Sequence, residues 1–332
     1  MTSKEIVRRT VEFDWPERLA RSLPQPWGSD FGGAGMDWSG LGTGWKQVAE
    51  SRWEHIDEWG NTWARIDKCS KGEIARGALE NIDDVERLPL PDLANPKRFE
   101  QTAASVAADT EHFLLGGLPG FTFNIARKIR KLDRYMMDLH LHRDKIEILH
   151  DRIDEILVGI VENYGKAGAD GVATCEDWGT QLGLMIHPNL WREIFKPRFQ
   201  RICDAAHKHG MKVFLHSCGR INDIIPDLIE VGVDALLFDQ QAAQGLDFLA
   251  GFAGRVTYQC PVDIQKVLQT GDEATIRAWA RALIEKFWCG GRGGFIADYY
   301  GGNEAIGADL EWQAWASDEF VKAGVQKQTD RK

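Results

Sequence analysis

The most regular feature of this chain is an alternation of amphipathic helices and short apolar strands from about residue 100 onward. Apolar side chains recur every three or four positions over residues 146–164, which predicts a helix that ends at Gly165. The same periodicity predicts a helix over residues 189–209, ended by Gly210, because glycine readily adopts the left-handed cap conformation. Further helices are predicted over residues 221–231 and 273–288.

Between these helices lie apolar runs that each end in polar or reactive side chains. They predict five strands, over residues 172–177, 212–219, 233–240, 255–261 and 294–300. Repeated strand–helix units imply parallel strands. We therefore predict an α/β fold, a (β/α)8 TIM-type barrel with an N-terminal tryptophan-rich extension. Three further strands, which the pattern does not locate, must lie before residue 170, and a doubly wound sheet is the alternative.

The first hundred residues have a different character. They hold seven of the thirteen tryptophans, they are rich in glycine turns, and residues 45–66 predict short strands with an aromatic face. Prolines at 89, 91 and 96 mark a linker. A length of 332 residues fits two domains or one barrel with an extension. We predict an extension over residues 1–100 packed on a barrel over 101–325, followed by a polar tail, 326–332.

Charge and composition exclude some classes of protein. The formal net charge is -10, which argues against a general binder of nucleic acid or of anionic membranes. The chain has no apolar run long enough for a membrane span and no signal peptide, so we expect a cytoplasmic protein. The six cysteines lie far apart, which makes a disulfide framework unexpected.

Candidate chemistry lies at the carboxyl ends of the predicted strands, where barrel enzymes carry their active sites. His216 and Cys218 are two residues apart on one strand end, so both point to the same side and offer zinc a nitrogen and a sulfur. Cys260 is the best third ligand, and Asp239, Gln240 and Asp298 are oxygen alternatives. The alternative reading is that His216 and Cys218 only fill the barrel mouth.

Four motifs stand out beyond the strand pattern: His216-Ser217-Cys218-Gly219, Gly232-Val233-Asp234-Ala235-Leu236, Glu176-Asp177-Trp178-Gly179-Thr180-Gln181 and Pro261-Val262-Asp263-Ile264-Gln265. Together they resemble the uroporphyrinogen decarboxylase superfamily, and within it the zinc- and corrinoid-dependent methyltransferase branch. The resemblance implies a (β/α)8 barrel in which His216 and Cys218 bind zinc. The family's usual third ligand is a cysteine after the last strand, but residues 296–301 contain none, so Cys260 or Asp298 would replace it. A related cobalamin-independent enzyme uses a carboxylate ligand one strand after the His-x-Cys motif. Asp239 or Gln240 falls near that place here, so Asp239 remains a possible zinc ligand.

This resemblance implies methyl transfer between a small substrate and a corrinoid carried by a partner protein, with zinc activating a substrate sulfur or oxygen. A homodimer is compatible with it. Glu176 and Asp177 are candidates to handle a proton or orient the substrate, with helix capping or pairing with arginine as the equal alternative. Trp178, Gln181, Gln240 and Tyr299 are candidates for substrate contact, although core packing or backbone capping explains several of them as well.

Two other functions remain open at this stage. A metal-independent decarboxylase or lyase on the same barrel predicts a cationic pocket, for which Arg192, Arg198 and Arg220 are the mid-chain candidates. A non-catalytic protein that sequesters a methylated or corrinoid ligand is favoured by the missing third cysteine. Measured turnover would distinguish the methyltransferase from the non-catalytic binding protein.

Overall fold

The computed structural model describes residues 1–68 and 70–325, and these residues contain two sheets. The predicted tail, 326–332, and Cys69 lie outside the described residues. The strands are β1 Ala20–Ser22, β2 Phe31–Gly33, β3 Lys46–Ala49, β4 Arg52–Ile56, β5 Thr62–Arg65, β6 Glu73–Arg76, β7 Phe113–Gly117, β8 Gly171–Cys175, β9 Lys212–His216, β10 Ala235–Leu237, β11 Thr257–Cys260 and β12 Phe295–Asp298.

Eight parallel strands form a nearly closed barrel, which confirms the predicted fold class. Their order is β2-β7-β8-β9-β10-β11-β12-β1. The two ends of the sheet meet through Arg21 and Asp30: the Asp30 N–H donates to the Arg21 carbonyl at 2.8 Å, and the Arg21 N–H donates to Asp30 Oδ2 at 2.9 Å. The three strands that the sequence did not locate are therefore β1, β2 and β7, and two of them lie within the first hundred residues.

Helices cover the outside of the barrel. They are α1 Ser3–Val11, α2 Glu100–Ala108, α3 Thr122–Ile129, α4 Leu132–Leu141, α5 Arg143–Ala167, α6 Pro188–Ile194, α7 Lys196–His207, α8 Ile225–Glu230, α9 Gln241–Gln244, α10 Leu246–Ala250, α11 Glu273–Phe287, α12 Asn303–Ile306 and α13 Leu310–Ala323. Short 3-10 turns lie at Ile82–Asp84, Pro96–Phe99, Asn222–Ile224, Leu268–Thr270 and Cys289–Gly291.

Two predicted helices differ in their bounds. The helix predicted to end at Gly165 continues to Ala167 and ends at Gly168, which adopts φ 85°. Gly165 stays helical, in close contact with His209. The helix predicted over residues 189–209 is split into α6 and α7, because Pro197 lies at the start of α7 and cannot continue the backbone ladder of a preceding helix.

Helix α1 closes the amino-terminal end of the barrel. Its Ile6, Val7 and Val11 pack with Phe113, Phe214 and other inward-facing strand residues in a separate inner cluster. The remaining core lies between the strands and the outer helices. The opposite, carboxyl-terminal end of the barrel is thus left as the open mouth.

The tryptophan-rich segment forms the four-stranded antiparallel sheet β3-β4-β5-β6. Three of its strands lie within residues 45–66, where short strands were predicted, and β6 lies beyond them. The rings of Trp45, His55 and Trp63 follow one another along one face, and the guanidinium of Arg65 lies 4.1 Å from the Trp45 ring centroid. This sheet, called the hairpin sheet below, stands beside the barrel near the end of α3.

No helix in the described residues is long and apolar enough to cross a membrane. The cysteines within these residues are free thiols: Cys175, Cys203, Cys218, Cys260 and Cys289.

The closure of the barrel by α1 gives a stability prediction. Ile6→Ala should lower the free energy of unfolding by about 2–5 kcal/mol, because Ile6 is fully buried and its loss leaves a cavity. Ile66→Ala is the matched control, since Ile66 is 74% exposed and its truncation should change stability by less than about 0.5 kcal/mol. Equilibrium chemical denaturation measures both, and equal effects would contradict the packing described.

Candidate functional site

The barrel mouth is built by residues that face the barrel interior at the last position of each strand. Ala173 and Phe214 pack in the inner cluster, so Cys175 and His216, two residues further along, face the same side. Ile296 also belongs to the inner cluster, and Asp298 follows it in the same way. Strand alternation therefore brings a thiol, an imidazole and a carboxyl group together at the mouth.

Cys175 and His216 form the centre of this group. The parallel register of β8 and β9 pairs Cys175 directly with His216. One donor atom from each of Cys175, Asp177 and His216 lies within 4.8 Å of the others. His216 Nε2 lies 3.3 Å from Cys218 Sγ. Two thiols, an imidazole and a carboxylate thus share one small region of the mouth.

The loops after β8 and β9 hold these side chains in place by pairing with each other. The Cys218 N–H donates to Asp177 Oδ1 at 3.0 Å, and the Gly179 N–H donates to the Cys218 carbonyl at 3.3 Å. Beyond them, the Arg220 N–H donates to the Thr180 carbonyl at 2.8 Å. Gly219 adopts φ 72° against Gly179, where a Cβ atom would lie 2.3 Å from the Gly179 carbonyl oxygen. The close approach of the loops therefore requires glycine.

Burial and neighbouring carboxylates keep the two thiols protonated. Partial burial of its Sγ, with Asp177 and Glu176 nearby, raises the pKa of Cys175 to about 12, although the residue as a whole is exposed at the mouth. Removal from water, with Asp177 and Asp239 nearby, raises the pKa of Cys218 to about 12 as well. A cation among these groups would reverse the effect, because it stabilises thiolate and carboxylate.

The carboxyl groups of the mouth are also shifted. Burial raises the pKa of Asp239, and the Asp177 and Asp263 charges add to the shift while His216 opposes it. Burial raises the pKa of Asp298 to about 6, although the Tyr299 N–H and Gln259 Nε2 donate to it at 2.9 and 3.0 Å. Asp298 therefore exchanges a proton close to neutral pH.

Cys260, expected as the third zinc ligand, lies elsewhere. It is fully buried in the core between the barrel and the outer helices, whereas its neighbour Gln259 points inward to Asp298. The structure instead brings Cys175 to His216. Strand alternation distinguishes the two, because Cys175 lies two residues after an inward-facing alanine and Cys260 follows an inward-facing glutamine.

Glu176 and Trp178 also lie away from the open mouth. Glu176 is fully buried, and its Oε2 accepts the N–H of Asn124 at 2.9 Å, in the first turn of α3. Burial raises the pKa of Glu176 well above its ordinary value. Glu176 therefore caps the amino-terminal end of α3, as the alternative interpretation of this residue expected. Trp178 is fully buried and stacks on Phe123 with ring centroids 4.4 Å apart.

The other predicted contact residues lie around the rim. Gln181 is exposed in the loop after β8, and Gln240 is half-buried, with an Oε1 that has no hydrogen-bond partner among the described residues. The Tyr299 hydroxyl accepts a hydrogen bond from Asn303 at 3.1 Å. Tyr300 was not among the residues predicted from the sequence, and its pKa is raised by burial and by the Asp239 and Cys218 charges.

The mid-chain arginines do not form a cationic pocket. Arg198 pairs with Glu147, Asp151 and Asp154 among the outer helices. Arg192 Nε lies 2.9 Å from Asp227 Oδ2. Arg220 is exposed and lies in the loop after β9. Two of the three are thus neutralised by acidic partners away from the mouth.

Comparison with known proteins identifies the family. The model of the uroporphyrinogen decarboxylase (URO-D) family matches residues 68–299. The chain belongs to this family. The match spans both loops that build the mouth, which confirms the resemblance seen in the motifs. Among curated protein sequences, none matched.

One solved structure supports the fold of this family member. A methyltransferase from Methanosarcina mazei is similar with a TM-score of 0.57 and 18% identity, covering 76% of this chain and 73% of that one. A D-psicose 3-epimerase, crystallised in the presence of D-fructose, is more distant, with a TM-score of 0.41 and 12% identity over 73% of this chain and 88% of its own. At these identities the likeness to the methyltransferase shows the barrel fold.

The close approach of the two loops predicts that one added methyl group at Gly219 lowers stability. Gly219→Ala should lower the free energy of unfolding by more than about 1 kcal/mol, because alanine disfavours the positive φ and collides with Gly179. Gly183→Ala, in the same loop region, has open space around its Cβ and should stay within about 0.5 kcal/mol of wild type. Thermal and chemical denaturation would compare them, and equal stabilities would contradict the close approach.

The buried carboxyl of Glu176 predicts a pH effect on stability. Because its pKa is raised, the folded state binds more protons than the unfolded chain, so this group's contribution to stability falls as pH rises above about 4.3. Glu176→Gln removes the ionisation. The variant should gain stability relative to wild type between about pH 5 and about pH 8, by at most about 1.4 kcal/mol per pH unit. A difference that stays constant across this range would show that Glu176 is ionised in the folded protein.

Proposed function

We propose that this chain is a zinc-dependent methyltransferase that moves a methyl group between a small substrate and a corrinoid protein. The observation that carries this proposal is the convergence of Cys175, His216 and Cys218 at the barrel mouth, beside Asp177. Family membership supports an enzyme on this barrel, and the ligand set adds the chemistry.

The residues of the mouth fit a zinc ion. Sulfur and imidazole nitrogen are the preferred zinc ligands, and catalytic sites use three protein ligands with one open position. Both thiols have pKa values near 12 beside carboxylates, so without a cation they stay protonated and inert at neutral pH. A divalent cation stabilises the thiolate form of both cysteines, and its binding releases the thiol protons. We assign Cys175, His216 and Cys218 as the ligands, in place of the expected Cys260.

Zinc held there supplies Lewis-acid activation of a substrate sulfur or oxygen. Asp177 orients this set, because its Oδ1 fixes the backbone of Cys218. Cys175 is exposed, so the mouth opens to solvent where a partner's corrinoid would approach. The methyl-carrying cobalt belongs to that partner, while this chain binds and orients the substrate.

Proton handling falls to the carboxyl groups that face the same space. Asp298, with a pKa of about 6, is matched to exchange a proton near neutral pH, which suits the loss or gain of a substrate proton. The unpartnered Oε1 of Gln240 and the phenol of Tyr300 are available to hydrogen-bond a substrate at the rim. Gln181 and Tyr299 remain candidates for rim contacts.

Metal content tests the ligand assignment. Purified wild type, equilibrated with zinc and dialysed, should hold about one zinc per chain, and Cys175→Ala, His216→Ala and Cys218→Ala should each lose most of it. Cys260→Ala is the matched control and should keep its zinc, because Cys260 faces the outer core. Plasma mass spectrometry measures the metal. Absence of zinc from wild type, or an equal loss from Cys260→Ala, would overturn the assignment.

The reaction itself is tested with free methylcobalamin as donor and 2-mercaptoethanol as acceptor. Visible absorbance follows cleavage of the cobalt–carbon bond, which should be faster with zinc-loaded protein than with stripped protein. Cys260→Ala should retain the rate, whereas His216→Ala should not. Stoichiometric zinc with no acceleration over stripped protein would retain the metal site and contradict methyl transfer.

A further inference from the structure

We propose that a basic groove between the hairpin sheet and α3 binds the acid group, a carboxylate or a phosphate, of the small substrate that reacts at the barrel mouth. The proposal rests on the proposed function for the reaction at the mouth, but the groove itself is independent of zinc. The expected substrate is a small molecule with an anionic group on an apolar scaffold.

The groove is formed where the exit of the hairpin sheet meets the end of α3. The Leu79 N–H donates to the Ile129 carbonyl at 3.0 Å, and a Cβ on Gly77 would lie 2.2 Å from that oxygen. This close contact leaves a cavity of about 760 Å³ beside it. The cavity is lined by Arg52, Trp63, Glu73, Ile74, Ala75, Arg127, Lys128, Lys131, Leu132 and Asp133.

Three cations of this groove have no carboxylate partner among the described residues. Arg127 donates through Nε and Nη2 to the Asn124 amide oxygen, at 3.2 and 3.0 Å. Lys131 Nζ lies 3.5 Å from the Ala75 carbonyl, and Lys128 Nζ lies 5.6 Å from the Trp63 ring centroid. Their charges are therefore held by neutral groups and remain available to an anion.

The remaining charges of the groove leave cations in excess. Arg52 Nε pairs with Glu54 at 2.7 Å, and Glu73 and Asp133 contribute two carboxylates to the lining. Arg127 and Lys128 also lie in the last turn of α3, where the helix dipole favours positive charge. Lys131 lies beyond that helix, so the dipole does not explain the whole cluster. A concave, partly apolar lining with convergent cations suits a small organic acid.

Asn124 links the groove to the end of β8. This residue accepts from Arg127 on the groove side, while its own N–H donates to Glu176 and its Nδ2 lies 3.5 Å from the Cys175 carbonyl. The groove therefore adjoins the strand end that carries Cys175.

The distribution of charge explains why one substrate would contact both the barrel mouth and the basic groove. In the metal-free protein, the carboxyl groups of Asp177, Asp239 and Asp298 disfavour an anionic group at the mouth. The cations of the groove attract it in a chain whose net charge is -10. The acid end is thereby separated from the end that gains or loses the methyl group.

Binding of benzoate to metal-free protein, measured by calorimetry at constant ionic strength, tests this groove. Benzoate should bind wild type, and Lys128→Ala should raise the Kd about tenfold, because a charge-assisted hydrogen bond is lost. Lys128→Arg should restore binding. Lys166→Ala, which removes an exposed lysine of α5, should leave Kd unchanged. Benzamide, the neutral analogue, should bind at least tenfold more weakly, and inorganic phosphate should compete with benzoate.

The outcomes separate this proposal from the proposed function. Equal Kd values for Lys128→Ala and Lys166→Ala, or equal binding of benzamide and benzoate, would overturn the anion site while zinc content stays as measured. Failure of both benzoate and phosphate to bind would also overturn it and would leave an acidic protein surface as the occupant. Loss of zinc or of methyl transfer with intact benzoate binding would instead overturn the proposed function alone.

Discussion

The site depends on one structural constraint, the side-by-side pairing of the loops that follow β8 and β9. The parallel register sets Cys175 opposite His216, and the loop hydrogen bonds carry Cys218 and Asp177 to the same point. Glycine at 219 permits this approach because any side chain there would meet the neighbouring backbone. Parallel pairing at the barrel mouth thus converts four residues that are separate in sequence into one donor set.

Electrostatics then decides what this donor set can do. Thiols beside carboxylates hold their protons, so the mouth is inert as a nucleophile until a cation arrives. Without a cation, the same carboxylates disfavour anions at the mouth, whereas Arg127, Lys128 and Lys131 gather positive charge in the adjoining groove. The separation of charge over adjoining sites is the basis for expecting a small substrate with one acidic end and one reactive end.

Sequence patterns predicted the barrel because its later strands are continuous apolar runs that end in polar residues. They could not locate β1 and β2, which are only three residues long, and β2 contains two glycines. Candidate residues at strand ends were predicted as a group, with Cys260 as the third ligand. Only the inward or outward direction of each strand position shows that Cys175 lies at the mouth and Cys260 in the outer core. Burial of Trp178 and the capping of α3 by Glu176 depend on helices packed from elsewhere in the chain, which local patterns do not reveal.

The most direct test of the central claim is X-ray absorption spectroscopy at the zinc edge of the zinc-loaded protein. The ligand set Cys175, His216 and Cys218 predicts two sulfur scatterers at about 2.3 Å and imidazole nitrogen at about 2.0–2.1 Å. A first shell of oxygen and nitrogen only, without sulfur, would contradict the assignment of both thiols and with it the proposed activation chemistry.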